Sequence, residues 1–501
     1  MANQKFIKTM AWVTAFSCLT RALAFAFKIY ISRLLGAEIL GLFQIGLSLF
    51  MLLACFSATG LPLTLSRKTA EYTVLGDDRR ARQIFTSTLL TALITSGAFV
   101  LFFYAFPGVL NLIFADPRTA RMFLFMLPAL ITTSVYSVSR AWFWGKKDYL
   151  VFSTTETLDE ILKIAFAAFF ISSIFTFPRE IGLAIAFVAA DVICAIVLLV
   201  VFFSKKGRFA RPAHFPEIIK ASAPITGTRI LSSFTTSLTA LLLPVLLVSY
   251  GMTISGATAA YGRASGMVMP IIFAPNSLIG ALSVVLLPEL AQLRVKGEEK
   301  KLNSAINNAL LAACFIGCAF FAVYFATGQE LGVLLYNDVF AGQFIVTAAL
   351  LTVPMSLNNI SLTSLNTLGH EDKGFISNLI GLVALAAATL SLARPIGIYA
   401  YFAGLFAYHF VTLGINFAFL KKYAKVSLPA LKKMPLMLVV SAAALAAGLG
   451  VHAYVADALS NLLTILAVTS TVLLTYTAAA LVLGLINFRQ WFSTKRRQSA
   501  A

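Results

Sequence analysis

The stretch IGLAIAFVAADVICAIVLLVVFF, residues 181–203, decides the fold, because it is a continuous apolar run of 23 residues with a single charged residue, Asp191. As an α-helix rising about 1.5 Å per residue, it extends about 34 Å, enough to cross the roughly 30 Å hydrocarbon core of a bilayer. A β-barrel would show shorter, alternating segments, so this run predicts an all-α membrane protein. Fourteen such runs lie near residues 9–32, 40–62, 84–106, 120–143, 152–176, 181–203, 221–249, 259–287, 303–327, 341–367, 375–393, 397–420, 435–455 and 460–487.

The composition agrees with a polytopic membrane protein of about 14 transmembrane helices. Of the 501 residues, 59% are hydrophobic and 12% are charged, about half the charge of a soluble chain. No sizeable soluble domain fits between the runs. Arg21 and Lys28 inside the first run predict a retained span rather than a cleaved signal peptide.

The distribution of Lys and Arg predicts the orientation. Of 39 such residues, 29 lie at the two termini or in the loops on the same side, and five lie in the opposite loops. Because cytoplasmic loops are enriched in Lys and Arg, we expect both termini to be cytoplasmic. The net charge of +19 therefore indicates anionic membrane lipids as partners and no nucleic acid.

Short motifs recur along the chain. The Gly pair that bounds residues 36–41 after the first run is repeated in residues 251–256 after the seventh, and two further motif pairs recur at nearly the same offset. Transporters are commonly built from two related halves. We predict pseudo-symmetric six-helix halves at residues 1–204 and 205–424, then an appended helix pair and basic cytoplasmic tail at 425–501.

The sequence carries no pattern typical of an enzyme. It has no GxxxxGK[ST] phosphate loop, and its loops are too short to shape a catalytic pocket. The five cysteines lack CxxC spacing and the four histidines are far apart, so we expect no disulfide and no metal site. These features predict a transporter without a cofactor.

Charged residues inside membrane spans are costly and mark functional sites by default. Arg21 lies near the middle of the first run, and Lys28 lies on the same helix face about 10 Å further along the axis. One stripe of the first helix is therefore positive. The alternatives are that Arg21 pairs with Asp191 and that Lys28 extends to the outer surface.

Two more cations lie in the second predicted half. Arg263 is in the eighth run, and Arg229 is near the cytoplasmic end of the seventh. If the inner helices of two related halves face each other, these cations share a cavity with Arg21 and Lys28. Arg suits phosphate because its planar group donates two hydrogen bonds at once. The structural alternatives are an ion pair for Arg263 and a lipid-headgroup contact for Arg229.

Acidic residues are concentrated in the fifth and sixth runs. The fifth opens with Glu156, Asp159, Glu160 and Lys163, and Asp191 is central in the sixth. Asp159 and Lys163 are four residues apart and can pair along a helix. We predict that the acids of the fifth run form a solvated or paired cluster, with a proton relay as the alternative. Together with Asp191 they are the candidates for an ion pair or for energy coupling.

Three stretches resemble a known family. TRALAFAFKIYISRLLGAEILGLFQ, residues 20–44, with GLPLTLSRKTAE, residues 60–71, resembles the opening of polysaccharide-type members of the multidrug/oligosaccharidyl-lipid/polysaccharide exporter superfamily. YGRASGMVMP, residues 261–270, resembles their eighth span. The chain is most similar to the lipid II flippase-like branch, which includes sporulation proteins, and the resemblance covers the first twelve runs.

The resemblance implies a function. Members of this branch move an undecaprenyl-pyrophosphate-linked saccharide, such as lipid II or a related cell-wall or spore-cortex polysaccharide precursor, from the inner to the outer leaflet by alternating access. It implies the bacterial plasma membrane and, as further partners, cell-wall synthesis enzymes. It also places Arg21 and Arg263 where peptidoglycan flippases carry cavity arginines, and Lys28 at a basic position of the sporulation branch.

Two other functions remain open at this point. A multidrug or cation antiporter of the same fold needs a membrane-embedded carboxylate, and the first and seventh runs contain none. A non-transporting scaffold for cell-wall enzymes predicts no effect of neutralising Arg21. The flippase is therefore the favoured hypothesis.

Overall fold

The computed structural model describes residues 2–172, 176–456 and 458–485, and within these ranges all regular structure is helical. The predicted all-α class is confirmed. The helices are α1 (Ala2–Ser57), α2 (Gly60–Val74), α3 (Asp78–Ala105), α4 (Gly108–Ile113), α5 (Pro117–Met126), α6 (Pro128–Gly145), α7 (Tyr149–Phe170), α8 (Arg179–Ser204), α9 (Phe215–Ser249), α10 (Ile254–Tyr261), α11 (Met269–Ile272), α12 (Ala274–Val295), α13 (Glu299–Tyr336), α14 (Val339–Ala348), α15 (Thr352–Thr367), α16 (Glu371–Ile396), α17 (Tyr399–Lys422), α18 (Met434–Val455) and α19 (Asn461–Val482). A π-helical segment, Gly262–Val268, separates α10 from α11.

Among the described residues, ten helices are long and apolar enough to cross a membrane, or eleven if the bent pair α5 and α6 forms one span. The chain is a multi-pass membrane protein, but fourteen spans are not confirmed. The first two predicted runs fall in one helix, α1, and α7 carries four charged residues that lower its hydropathy. The basic tail at 489–497 lies outside the described residues, and the orientation stays a prediction.

Helix α1 is interrupted at Gly36, whose φ of 77° and ψ of 175° are not helical. Glycine adopts a positive φ without the steric penalty of a Cβ atom. The chain therefore kinks between the two apolar runs that the sequence identified and continues as helix on either side. This kink explains why two predicted spans appear as one element.

The chain divides into two compact units after Gly262, and the predicted six-helix halves stay a prediction. In the first unit, α1 and α10 touch through their backbones. A Cβ atom on Gly41 would lie 2.1 Å from the Thr258 carbonyl oxygen, and one on Gly262 would lie 2.1 Å from that of Ala37. Small residues allow such close helix packing inside a membrane.

The start of α9 is held by an ionic cluster, here called the Glu217 cluster. The Glu217 carboxylate lies 3.1 Å from Lys68 Nζ of α2 and 3.9 Å from Arg80 Nη2 of α3. The Tyr72 hydroxyl donates to the same carboxylate at 3.3 Å. Because the Glu217 side chain is 33% exposed, dissolved salt can screen the attraction between Glu217 and its two basic partners.

In the second unit, α13 packs against the last helix pair. The Ser441 hydroxyl of α18 donates to the Cys318 carbonyl at 2.8 Å, and the Tyr476 ring of α19 stacks on Phe315 at 4.8 Å between centroids. The predicted appended pair thus has a direct structural contact with α13.

Two asparagines of α13 fix the loop before α18. Asn307 Nδ2 donates to the Ser427 carbonyl at 2.8 Å, and Asn307 Oδ1 accepts from the Ala430 amide at 3.0 Å. Asn303 Oδ1 accepts from the Ser427 amide at 2.9 Å. Backbone groups of a non-helical loop are thereby satisfied by side chains.

Candidate functional site

Lys163 of α7 pairs with two acids of its own helix. Its Nζ atom lies 2.5 Å from Asp159 Oδ2 and 3.9 Å from Glu160 Oε1. The two acidic side chains are 12% and 18% exposed. The ion pair expected from the four-residue spacing is present. At such low exposure, an unpaired charge would be strongly unfavourable, so the pairing stabilises all three groups.

Asp191 of α8 lies beside this group and is 6% exposed. The Thr133 hydroxyl of α6 donates a hydrogen bond to its carboxylate. Lys163 and Asp191 also interact electrostatically. Within the described residues, Asp191 forms no ion pair with Arg21. We call Lys28, Asp159, Glu160, Lys163 and Asp191 the lysine cluster.

Lys28 connects this cluster to a cavity in the first unit. The cavity has a volume of about 160 Å³ and is lined by Lys28, Glu160 and Lys163 among apolar side chains that include Phe43 and Phe187. Lys28 and Glu160 attract each other electrostatically. The cavity therefore combines an apolar wall with two cations and one acid.

Arg21 lies two helical turns before Lys28 and is exposed. Among the described residues, it has no ion-pair or hydrogen-bond partner. Next to it, the hydroxyls of Thr20 and Thr157 are 2.9 Å apart, and this hydrogen bond fastens α1 to α7. This hydrogen bond positions the backbone next to Arg21.

Arg229 of α9 is also exposed. Its carbonyl oxygen accepts a hydrogen bond from Cys55 Sγ at 3.7 Å, and Cys55 Sγ lies 3.0 Å from Ser233 Oγ. These contacts hold the backbone of α9 against α1. Within the described residues, the Arg229 guanidinium has no ion-pair partner.

Arg263 belongs to the second unit and lies in the π-helical segment. Its Nε atom donates to Asp338 Oδ2 at 2.7 Å, and its guanidinium lies 5.1 Å from the centre of the Phe340 ring. Asp338 also caps α14 by accepting from the Ala341 amide at 2.9 Å. The structural alternative considered for Arg263, an ion pair, is the arrangement observed here.

Glu156 pairs with a residue outside the lysine cluster. Its Oε2 atom lies 2.5 Å from Arg140 Nη2 of α6, and the Arg140 guanidinium lies 3.7 Å from the Phe152 ring centre. Glu156 therefore serves to join α6 and α7 in this structure.

Two features of the site do not follow from the sequence. The spacing predicts the pairing of Lys163 with Asp159 but not the place of Lys163 in the lining of the Lys28 cavity, and it does not predict Asp338 as the partner of Arg263. Asp338 carries a signal that could have identified it as a cap, because Asp is favoured before the first turn of a helix. Its contact with Arg263, 75 residues away, has no sequence signal.

The acids Asp159, Glu160 and Asp191 lie near one another, but among the residues that the structure describes no group of three His, Cys, Asp or Glu side chains is arranged to hold a metal ion. Arg and Lys can hold phosphate oxygens by charge-assisted hydrogen bonds. The buried acids can compensate these cations when no ligand is bound. The lysine cluster itself contains two lysines and three acids, and Lys163 is already paired with Asp159. The cations that can bind an anion next to the apolar wall are therefore Arg21 and Lys28.

Comparison with known proteins agrees with the resemblance noted in the sequence. Residues 6–294, more than half of the chain, match the family model described as polysaccharide biosynthesis protein. Over 414 residues, the chain is 24% identical to stage V sporulation protein B of Bacillus subtilis (strain 168), covering 79% of each chain.

Solved structures share the fold. The chain is similar to a structure of the lipid II flippase MurJ in an inward closed conformation, with a TM-score of 0.75, 14% identity, and coverage of 94% of this chain and 98% of that one. An inward-facing multidrug resistance MATE family transporter of the MOP superfamily matches with a TM-score of 0.69, 17% identity, and coverage of 80% and 93%. The polytopic flippase and MATE-like fold expected from the resemblance is confirmed.

Proposed function

This chain belongs to the family of polysaccharide biosynthesis proteins, and on that premise we propose that it is a flippase for an undecaprenyl-pyrophosphate-linked saccharide. The saccharide is lipid II or a related precursor of the cell wall or spore cortex, carried from the inner to the outer leaflet by alternating access. The observation that carries the proposal is the exposed Arg21, two turns from the cavity-lining Lys28 on one face of α1.

The diphosphate is the part of the substrate that these cations suit. Arg21 supplies a donor of two parallel hydrogen bonds, and Lys28 supplies a point charge. The apolar wall beside Lys28 suits the isoprenoid end of the substrate. The cavity of about 160 Å³ is smaller than the roughly 300–1,000 Å³ of pockets for drug-sized ligands. It therefore takes a phosphate-sized group, and the saccharide needs a more open conformation.

Arg229 and Arg263 have separate places in this proposal. Arg229 is exposed and has no ion-pair partner in the described ranges, so it can contact a diphosphate or a lipid headgroup directly. Arg263 binds a diphosphate only after it releases Asp338, 2.7 Å away. The resemblance to flippases supports a substrate contact at Arg263, and the ion pair makes that contact conditional.

The test is lipid movement in proteoliposomes with a fluorescent undecaprenyl-pyrophosphate saccharide. Loss of one charged hydrogen-bonding partner costs about 1.5–3 kcal/mol, so Arg21→Ala should slow movement about 10- to 100-fold. The control is Arg208→Ala, which removes an exposed cation from the loop before α9 and should leave the rate unchanged. Equal rates in Arg21→Ala and wild-type protein would contradict the proposal.

A second function, a multidrug or cation antiporter, is favoured by one observation. The acids of the lysine cluster, Asp159, Glu160 and Asp191, are largely buried on neighbouring helices, and embedded carboxylates can exchange cations. Uptake of a cationic dye driven by a pH gradient and abolished in Asp191→Asn, with no lipid movement in wild type, would replace the flippase proposal.

A flippase of this type can draw on the membrane potential. Moving one negative charge outward from a negative interior gains about 2.3 kcal/mol per 100 mV. A dedicated ion site is then not required, and the lysine cluster serves to keep cations in place inside the first unit. The rate of lipid movement should rise when an inside-negative potential is imposed on the vesicles.

A further inference from the structure

A second cavity lies in the second unit, away from the lysine cluster. It has a volume of about 210 Å³ and sits where α12, α15 and α17 end and α13 begins. Leucines form its apolar part, and its polar lining includes Arg294, His370, Tyr423 and Lys425. We call it the Arg294 pocket.

The walls of the Arg294 pocket are fixed by the backbone. Gly297 and Gly369 have φ values of 68° and 73°, which allow the chain to turn back at two helix ends. The Glu298 amide donates to the Leu293 carbonyl at 3.1 Å, and the Val426 amide donates to the Leu420 carbonyl at 3.0 Å. Carbonyl groups at these helix ends are thus satisfied by backbone amides, and the basic side chains are not needed to cap them.

Arg294 is held next to one of these turns. Its Nη1 atom lies 2.9 Å from the position that a Cβ atom on Gly369 would occupy. A Cβ atom at residue 369 would displace the guanidinium from this position.

The basic groups of the pocket have unused hydrogen-bond donors. In the described part of the chain, neither the Arg294 nor the Lys425 side chain has an ion-pair or hydrogen-bond partner. Of the acids next to lining residues in the sequence, Glu298 and Asp372 are paired with Lys301 at 2.6 Å and Lys373 at 2.9 Å, respectively. Glu371, which follows His370, forms no ion pair in the described part of the chain. Glu299 is the acidic member of the lining, so the two cations leave the pocket with a positive balance.

We propose that the Arg294 pocket binds one phosphate ester, with Arg294 as the bidentate donor and Lys425 as the second charge. Its volume is below the roughly 300–1,000 Å³ typical of drug-sized ligands, which suits a group of the size of a phosphate ester. The leucine floor contacts the carbon part of the ester. The source is an anionic phospholipid headgroup or a soluble phosphate ester, since basic pockets at membrane surfaces bind anionic headgroups.

The test uses the purified full chain, delipidated in neutral detergent, and measures the apparent Kd from ligand-dependent thermal unfolding. The probes are dioctanoyl phosphatidylglycerol, dioctanoyl phosphatidylcholine and glycerol 3-phosphate. Arg294→Gln/Lys425→Gln should weaken phosphatidylglycerol binding at least tenfold. Lys296→Gln/Lys300→Gln, which removes two exposed cations from the adjoining turn, is the matched control and should change the Kd less than twofold.

The probes separate the two sources of the ester. Binding of phosphatidylglycerol alone assigns the pocket to a lipid headgroup, and equal binding of glycerol 3-phosphate assigns it to a soluble ester. Equal weakening in both double variants, or equal binding of phosphatidylcholine, would overturn the proposal. If the pocket double variant does not fold, Arg294→Lys replaces it, and a loss of at least threefold is expected because lysine cannot donate in bidentate fashion.

Discussion

The two units hold their membrane arginines in different ways. In the first unit, Arg21 is exposed and unpaired among the described residues, and Lys28 lines a cavity. In the second unit, Arg263 is tied to Asp338 at 2.7 Å and lies over Phe340. A paired arginine must lose its carboxylate before it binds phosphate, whereas a free one need not. The comparison therefore favours Arg21 over Arg263 as the residue that makes the proposed ligand contact.

Asp338→Ala is expected to have the largest effect on stability, because it removes the ion-pair partner of Arg263. It leaves Arg263 without its partner in a pair whose carboxylate is 13% exposed, and it removes the cap of α14. The free energy of unfolding should fall by about 2–4 kcal/mol, measured by denaturant unfolding in detergent.

Asp372→Ala is the control for Asp338→Ala. It removes an aspartate whose side chain is 64% exposed and paired with Lys373, and no measurable change is expected. If Asp338→Ala is equally harmless, the Arg263 ion pair is not structural. The variant Asp338→Ala/Arg263→Met should recover much of the lost stability, since no unpaired charge then remains.

Gly41→Ala tests the packing of α1, the helix that carries Arg21, without changing any charge. The added Cβ atom would lie 2.1 Å from the Thr258 carbonyl oxygen, so a backbone must shift, and we expect a loss of about 1–3 kcal/mol in unfolding free energy. Gly97→Ala in α3 is the control, because nothing lies within 4 Å of its Cβ position. That change should stabilise the helix by about 0.5–1 kcal/mol; the same sign for both variants would refute the close contact.

Arg21→Lys tests the ligand side of the comparison. The charge is kept but bidentate donation is lost, so lipid movement should slow about tenfold, equivalent to about 1.4 kcal/mol. Thermal unfolding should be unchanged, because Arg21 has no partner within the described residues. A lower unfolding temperature together with a normal rate of lipid movement would show that Arg21 has a structural role, as proposed for Arg263.

Glu217→Gln should have the smallest effect on the free energy of unfolding, and it measures how much an exposed ion pair contributes. The Glu217 side chain is 33% exposed, and such pairs contribute below about 1 kcal/mol. The difference in unfolding free energy from wild type should shrink in about 1 M salt, where the Debye length is about 3 Å. A difference that persists at high salt would show that the Glu217 cluster acts by packing.

The helical class was predictable from the sequence because the apolar runs are long, whereas the number of spans and the breaks within them were not. The connection at Gly36 was not predictable, since a glycine between two runs is equally compatible with a loop and with a kink. The Asp159–Lys163 pair followed from a spacing of four residues within one helix. The Arg263–Asp338 pair did not, because the sequence does not state which side chains 75 residues apart will meet.

Cavities are harder to predict than pairs. The positions of Lys28 and Arg21 on one face of α1 follow from helix periodicity, and so does their common direction. Whether a lysine meets a carboxylate, lipid or empty space depends on how α7 and α8 pack beside α1. The sequence therefore identified Lys28 as a candidate, and the structure supplied Glu160 and Lys163 as its companions in the cavity.

The contact of Asn307 with Ser427 has a consequence for biosynthesis. The two residues are 120 positions apart, and at about 5–20 residues per second the ribosome needs roughly 6–24 s to make the intervening chain. During that interval, the Asn307 amide has neither Ser427 nor Ala430 to bind. The contacts of the first part of α13 with the loop before α18 are thus completed only when that loop has been synthesised, and a nascent chain that stops before Ser427 lacks them.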